Sequence, residues 1–140
     1  MKFNSQICTS KSQSERLLAL GLKKETADMC IRIDLANPIA IPYNEVDEFY
    51  YKVVIPAWSL HRLLEIIPQS IKVDDRYFDL EADAYSIVYH YSFVSEDGEG
   101  FEDSVGPTNT PLRDNIYDDI IDNIKWLITG GYFNKEYLEE

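Results

Sequence analysis

From Tyr85 to Val94 the chain alternates strictly. Tyr85, Ile87, Tyr89, Tyr91 and Phe93 fall on one face, and Ser86, Val88, His90, Ser92 and Val94 fall on the other. Period two with such unequal faces predicts a half-buried antiparallel strand. Arg76-Tyr77-Phe78-Asp79-Leu80-Glu81 reads as the strand before it. Asp97-Gly98 is a hairpin-turn signal leading into a short third strand over Gly100–Val105. This meander predicts the centre of a sheet. Met29-Cys30-Ile31-Arg32-Ile33 and Phe49–Ile55 are further strand candidates, the second ended by Pro56. Between them, Ala36–Glu48 holds Pro38, Pro42, Asn37, Asn44 and Asp47, and reads as a loop or irregular edge because proline cannot donate to a sheet ladder.

Helical spacing appears three times. Lys11–Leu20 carries Leu17, Leu18 and Leu20, with Gly21 suited to the left-handed residue after the helix. Ser10 with Gln13, or Ser12 with Glu15, fits a capping box, so two start registers compete. Residues 60–67 place Leu60, Leu63, Leu64 and Ile67 on one side. Ser59 is the cap there, Trp58 is set to staple against Leu63, and Pro68 is the stop. The last helix is predicted over Arg113–Thr129, with Ile116, Ile120, Ile124 and Leu127 in one stripe and Gly130-Gly131 ending it. The breakers Gly106, Pro107, Asn109 and Pro111 precede it, and Tyr132, Phe133 and Leu138 give the tail apolar residues with which to fold back.

These elements predict one α+β domain over residues 1–140, with three helices packed on one face of a small, mainly antiparallel sheet. The final helix would cover the Tyr85/Ile87/Tyr89/Tyr91/Phe93 face. Composition agrees, because 45% hydrophobic residues with ten Tyr, six Phe and two Trp support a packed core rather than a disordered acidic tail. The chain has no apolar run of membrane-spanning length and its first residues lack the apolar stretch of a signal peptide, so no membrane association and a cytoplasmic location are expected.

Charge changes the picture. Residues 1–70 carry eight basic and eight acidic side chains, whereas residues 71–140 carry five and seventeen, an imbalance equal to the whole net charge of −12. Nine carboxylates between Glu96 and Asp122 meet only Arg113. Such a surface repels phosphate backbones and attracts basic proteins or cations over a Debye length of ~8 Å at physiological salt. Direct nucleic-acid binding is therefore not expected, although a tyrosine-rich strand could stack bases in a positively charged setting.

Candidate chemistry is sparse. Asp114, Asp118 and Asp122 stand four apart and would share a stripe of the final helix, with Asp119 adjacent. The helix dipole accounts for anions in the first turn but not for Asp122, and Lys125 follows three residues on. Ser95-Glu96-Asp97-Gly98-Glu99-Gly100 has the outline of a calcium loop. The position requiring a bidentate glutamate falls on Gly106, however, so the match fails and a solvated turn is expected. Cys8 and Cys30, 22 apart, fit no metal or redox spacing and read as small buried hydrophobes. His61 and His90 read as surface residues, and Trp58 and Trp126 as core anchors. No nucleophilic triad, phosphate-cradling glycine loop or paired metal histidines is visible, and no cofactor or metal is expected.

Three blocks carry a resemblance. The first is Thr9-Ser10 with Gln13-Ser14, Leu17-Leu18-Ala19-Leu20-Gly21-Leu22 and Thr26-Ala27-Asp28-Met29. The second is Pro56-Ala57-Trp58-Ser59-Leu60 with Leu63-Leu64-Glu65 and Pro68. The third is Asp118 through Trp126-Leu127-Ile128 with Gly131-Tyr132. Together they resemble a set of short uncharacterised proteins of gut Bacteroidales, often carried in prophages and other mobile elements. The resemblance implies a small α+β domain in a phage-related or mobile-element setting. That family has no established activity, so no functional residue carries over.

The functional expectation is a non-enzymatic module that offers a basic protein partner its acidic surface, formed by Glu96, Asp97, Glu99, Glu102, Asp103, Asp114, Asp118, Asp119 and Asp122. The competing readings are a small metal-assisted enzyme using these carboxylates and a structural homo-oligomer.

Overall fold

A computed structural model describes residues 5–33, 38–39, 41–47, 53–108 and 114–140. The first part of the predicted Phe49–Ile55 strand, up to Lys52, the loop residues Ala36, Asn37 and Glu48, the breakers Asn109 and Pro111, and the predicted helix start at Arg113 lie outside the described residues. The described part of that strand runs on through Pro56, which does not end it. The chain is of the α+β class: the described residues form three α-helices and two antiparallel sheets, in two compact units. The strands are divided between the two sheets rather than joined in one.

The first unit comprises residues 1–66 and 134–140. Helix α1, Lys11–Ala19, starts at the Ser10 register: the Ser10 hydroxyl accepts the Gln13 amide at 3.2 Å, and the Gln13 side chain accepts the Ser10 amide at 2.9 Å. This reciprocal pair satisfies two donors that an α-helix leaves unmatched at its first turn. Its exit is a left-handed glycine, Gly21 at φ 94°. The amide of Leu22 reaches the Leu17 carbonyl at 3.2 Å and that of Gly21 the Leu18 carbonyl at 3.0 Å. That is the double closure available to a helix whose next residue is free to adopt positive φ.

Strands β1, Met29–Arg32, β2, Pro38–Ile39, and β3, Val54–Ala57, form a sheet in the order β2-β1-β3. Cys30 stands opposite both Ile39 and Pro56. Pro38 and Pro56 lie in the two outer strands, where a missing N–H removes no bond from a second ladder. Helix α2, Leu60–Ile66, begins where the Ser59 hydroxyl accepts the Arg62 amide at 3.2 Å. Trp58 and Leu63, the expected staple pair, are both fully buried. The C-terminal tail joins this unit through a Leu22–Leu138 bridge, with the Lys23 amide on the Tyr137 carbonyl at 2.8 Å and the Glu139 amide on the Gly21 carbonyl at 2.7 Å.

A buried polar network ties the unit together around Trp58. Its indole N–H donates to the Thr26 hydroxyl at 2.9 Å, and its backbone amide donates to the Thr9 hydroxyl at 3.0 Å. Thr26 donates in turn to the Lys23 carbonyl at 2.6 Å. Asp28 accepts both the amide and the hydroxyl of Ser59. Among the described residues, every buried side-chain nitrogen and oxygen has a partner. A fully satisfied network of this kind fixes one arrangement of the elements it joins.

The second unit, residues 67–133, is built on a sheet in the order β4-β5-β6-β7. Its strands are β4, Ser70–Val73, β5, Arg76–Ala82, β6, Ile87–Val94, and β7, Gly100–Val105. The predicted meander is present, with β4 added at its edge. Asp74 and Asp75, at φ 50° and 65°, make the two-residue turn between β4 and β5. Helix α3, Ile116–Gly130, packs against β6. It begins after Asn115, whose side chain accepts the amides of Tyr117 at 2.9 Å and Asp118 at 3.3 Å. Asp114 therefore lies outside the helix, and the expected three-carboxylate stripe is reduced to Asp118 and Asp122. Buried Ile120, Ile124 and Leu127 form the predicted apolar stripe.

Candidate functional site

Alternation along β6 puts Ile87, Tyr89, Tyr91 and Phe93 on one face, but burial divides that face in two. Ile87 and Tyr89 are 6% and 0% exposed, while Phe93 is 50% exposed. Tyr85 precedes the strand and is also exposed, held in a turn where the Asp83 carboxylate accepts the amides of Tyr85 at 2.7 Å and Ser86 at 2.8 Å. The helix thus covers the first half of the strand and leaves the second half open.

Beside the buried half, the Tyr89 hydroxyl donates to the Pro68 carbonyl at 2.8 Å, and burial pushes its ionisation well above the ordinary phenol range. Along the open half, the register sets Phe93 opposite Phe101 and Tyr91 opposite Asp103. Arg76 reaches across from β5, its guanidinium 5.4 Å from the Tyr91 ring centre and 3.7 Å from the Asp103 carboxylate. Phe78 packs on Tyr91 with 5.7 Å between ring centres. Arg76, Tyr91, Phe93, Phe101, Glu102 and Asp103 line a cleft of about 400 Å³.

The turn that closes this hairpin holds the densest charge. The Ser95 amide donates to the Glu99 carbonyl at 2.8 Å, the Gly98 amide donates to the Ser95 carbonyl at 2.9 Å, and Gly98 takes φ 85°. The Asp97 carboxylate accepts the Ser95 hydroxyl and the Glu99 amide, which hold it below the usual carboxylate range. Glu96, Glu99 and Glu102 are exposed. From Val94 to Ser104 there are five carboxylates and no lysine or arginine.

The nine acidic residues named from the sequence have different roles. Glu96, Asp97, Glu99, Glu102 and Asp103 gather on the β6–β7 hairpin, with Asp103 paired to Arg76. Asp119 is a structural group: its carboxylate accepts the Ile87 amide at 2.8 Å and faces the Asn123 side chain at 3.4 Å. Asp118 and Asp122 are half-buried on α3, and Asp114 is exposed before the cap. Sequence reasoning missed the aromatic cleft. Its signal was the Phe93–Phe101 pairing, which follows once the turn at Asp97-Gly98 sets the hairpin register.

The remaining candidates are placed as follows. Cys8 and Cys30 are buried free thiols; burial first, then the nearby Asp28 and Cys30, pushes Cys8 up to about 11, and burial raises Cys30. His61 is exposed beside Glu65 at 3.4 Å, and His90 stands opposite Asp79 and Ser104 in the ladder. Trp126 is half-buried rather than core, stacked on Tyr132 at 5.3 Å between ring centres. Among the described residues no group of three His, Cys, Asp or Glu side chains is placed to hold a metal ion, and no helix is long and apolar enough to cross a membrane.

Comparison with known protein families, with curated proteins and with solved structures finds no match to this chain.

Proposed function

We propose that this protein is a non-enzymatic interaction module whose acidic β6–β7 hairpin receives a basic protein partner. The observation that carries the reading is the five carboxylates of Glu96–Asp103, gathered on one hairpin, against which, among the described residues, Arg76 is paired through Asp103. A concentration of one sign raises the local density of the opposite charge and speeds encounter with partners that bear it. In the phage-related or mobile-element setting that the sequence resemblance implies, a nucleic-acid-binding protein is the partner class with the required charge. Carboxylates would then stand where phosphates otherwise bind.

Affinity capture with the full chain from its native cells, washed at low and then high salt, tests this. A basic protein retained at low salt and released at high salt supports the reading; retention that ignores salt, or a partner without a basic surface, contradicts it.

A further inference from the structure

The half of the β6 face that α3 leaves open ends in exposed aromatic residues. Phe93 and Phe101 are 50% and 56% exposed, a cross-strand pair that water would ordinarily select against at a hairpin end. Together with Tyr91 they line the cleft of about 400 Å³, where Arg76 pairs with Asp103, and Tyr91 also packs on Phe78. Tyr91, held by Arg76 and Phe78, loses little freedom on contact, the property that makes aromatics anchors of interfaces.

We infer that this cleft is a docking site for a basic protein segment that inserts one aromatic or long aliphatic side chain against Phe93 and Phe101 while its lysines or arginines meet Glu96, Asp97 and Glu99. The inference rests on the proposed acidic interaction surface and names where and how that surface is engaged. Charge complementarity selects the occupant. A second copy of the chain would bring another hairpin with five carboxylates and no lysine or arginine against this one, at a net charge of −12 per chain. A neutral apolar segment would leave Glu96 and Glu99 with no role in binding. Among the described residues β7 is an edge strand of its sheet, which places the cleft beside an edge along which an extended segment can lie.

The test uses two fluorescein-labelled lysine-rich peptides, identical except for a central tryptophan in one and serine in the other. Each is titrated into the full chain and into Phe93→Ser and Phe101→Ser variants, with circular dichroism verifying that the variants fold. The tryptophan peptide should bind about tenfold more tightly than the serine peptide, and either substitution should remove that difference. On the unaltered protein, amide shift changes should centre on Tyr91–Phe93 and Phe101–Asp103, which keeps the test decisive even if a variant unfolds. Equal binding of both peptides, with shifts confined to Glu96–Glu99, would overturn the cleft while leaving the acidic reading intact. Failure of both peptides to bind at low salt would overturn both. Sedimentation showing a dimer that Phe101→Ser dissolves would assign the cleft to a second copy instead and overturn the inference.

Discussion

The Asp119 carboxylate on α3 accepts the backbone amide of Ile87, the first residue of β6, at 2.8 Å. One side chain thereby satisfies a donor at a strand end and fixes the helix against the sheet it covers. Ile87 is buried, so an amide left without this acceptor would have little water to turn to. Asp119→Ala should destabilise the protein by ~1–3 kcal/mol in denaturant titration, and Asp119→Asn, which retains an acceptor oxygen, by less. Asp114→Ala, at an exposed position before the cap, should stay within about 0.5 kcal/mol. Equal effects at the two aspartates would contradict this division of the acidic residues.

Trp58 offers a second test, in the first unit. Thr26→Val keeps the volume of the side chain but removes the acceptor of the buried indole N–H. The expected loss is ~1–3 kcal/mol, accompanied by a shift in tryptophan emission. An unchanged midpoint would mean the hydrogen bond contributes nothing net.

Gly130 is the last residue of α3, a helical position where alanine would ordinarily gain up to about 1 kcal/mol of helix propensity. Here a Cβ would stand 2.5 Å from the Tyr132 ring, which stacks on Trp126. Gly130→Ala should therefore fail to stabilise and should alter the near-ultraviolet signal of Trp126. Adding Tyr132→Ala should recover the propensity gain relative to Tyr132→Ala alone.

The thiols give a pH-dependent prediction. Cys8 is raised in the folded protein, so its contribution to stability is fully present below the unfolded thiol value of ~8.5 and is lost as pH rises toward about 11. Neither Cys8 nor Cys30 should react with a thiol reagent at neutral pH until denaturant is added. Stability should fall on the alkaline side, and a Cys8→Ala variant should fall less steeply. Rapid labelling of the native protein would refute the burial argument.

At the acid end the sign reverses. Asp83 and Asp97 are held below the usual carboxylate range by turn hydrogen bonds, from the Tyr85 and Ser86 amides and from the Ser95 hydroxyl respectively. Their contribution is present above the unfolded value of ~3.9 and is lost as pH falls through the folded one. Carboxyl resonances of these two residues should titrate below the ordinary aspartate value of ~3.9.

Where a local signal was sufficient, the sequence could be read. Ser10 with Gln13, Ser59 before α2, the alternation of β6 and the Asp97-Gly98 turn each act within a few residues, and each is present in the fold. Strand β4 escaped because Ser70–Val73 is short and its turn uses Asp74-Asp75, in left-handed conformations that aspartate tolerates but that no glycine advertises. Helix α3 starts at Ile116, after Asn115, because a side-chain cap outweighs the apolar period in setting a boundary. The division of the strands into two sheets depends on pairings such as Met29 with Ala57, distant in sequence and unmarked by any local pattern. The acidic hairpin was visible as composition, but the aromatic cleft beside it required the register.

The most direct test of the account is the salt dependence of binding between the lysine-rich serine peptide and two forms of the chain, wild type and the Glu96→Gln/Glu99→Gln/Glu102→Gln variant. Wild-type affinity should fall steeply as the Debye length shrinks from ~10 Å at 0.1 M to ~3 Å at 1 M. The variant should bind at least about fivefold more weakly at low salt and lose less on salt addition. Affinity that ignores salt, or that survives removal of the three glutamates unchanged, would contradict the claim that this hairpin is the charged face the protein presents.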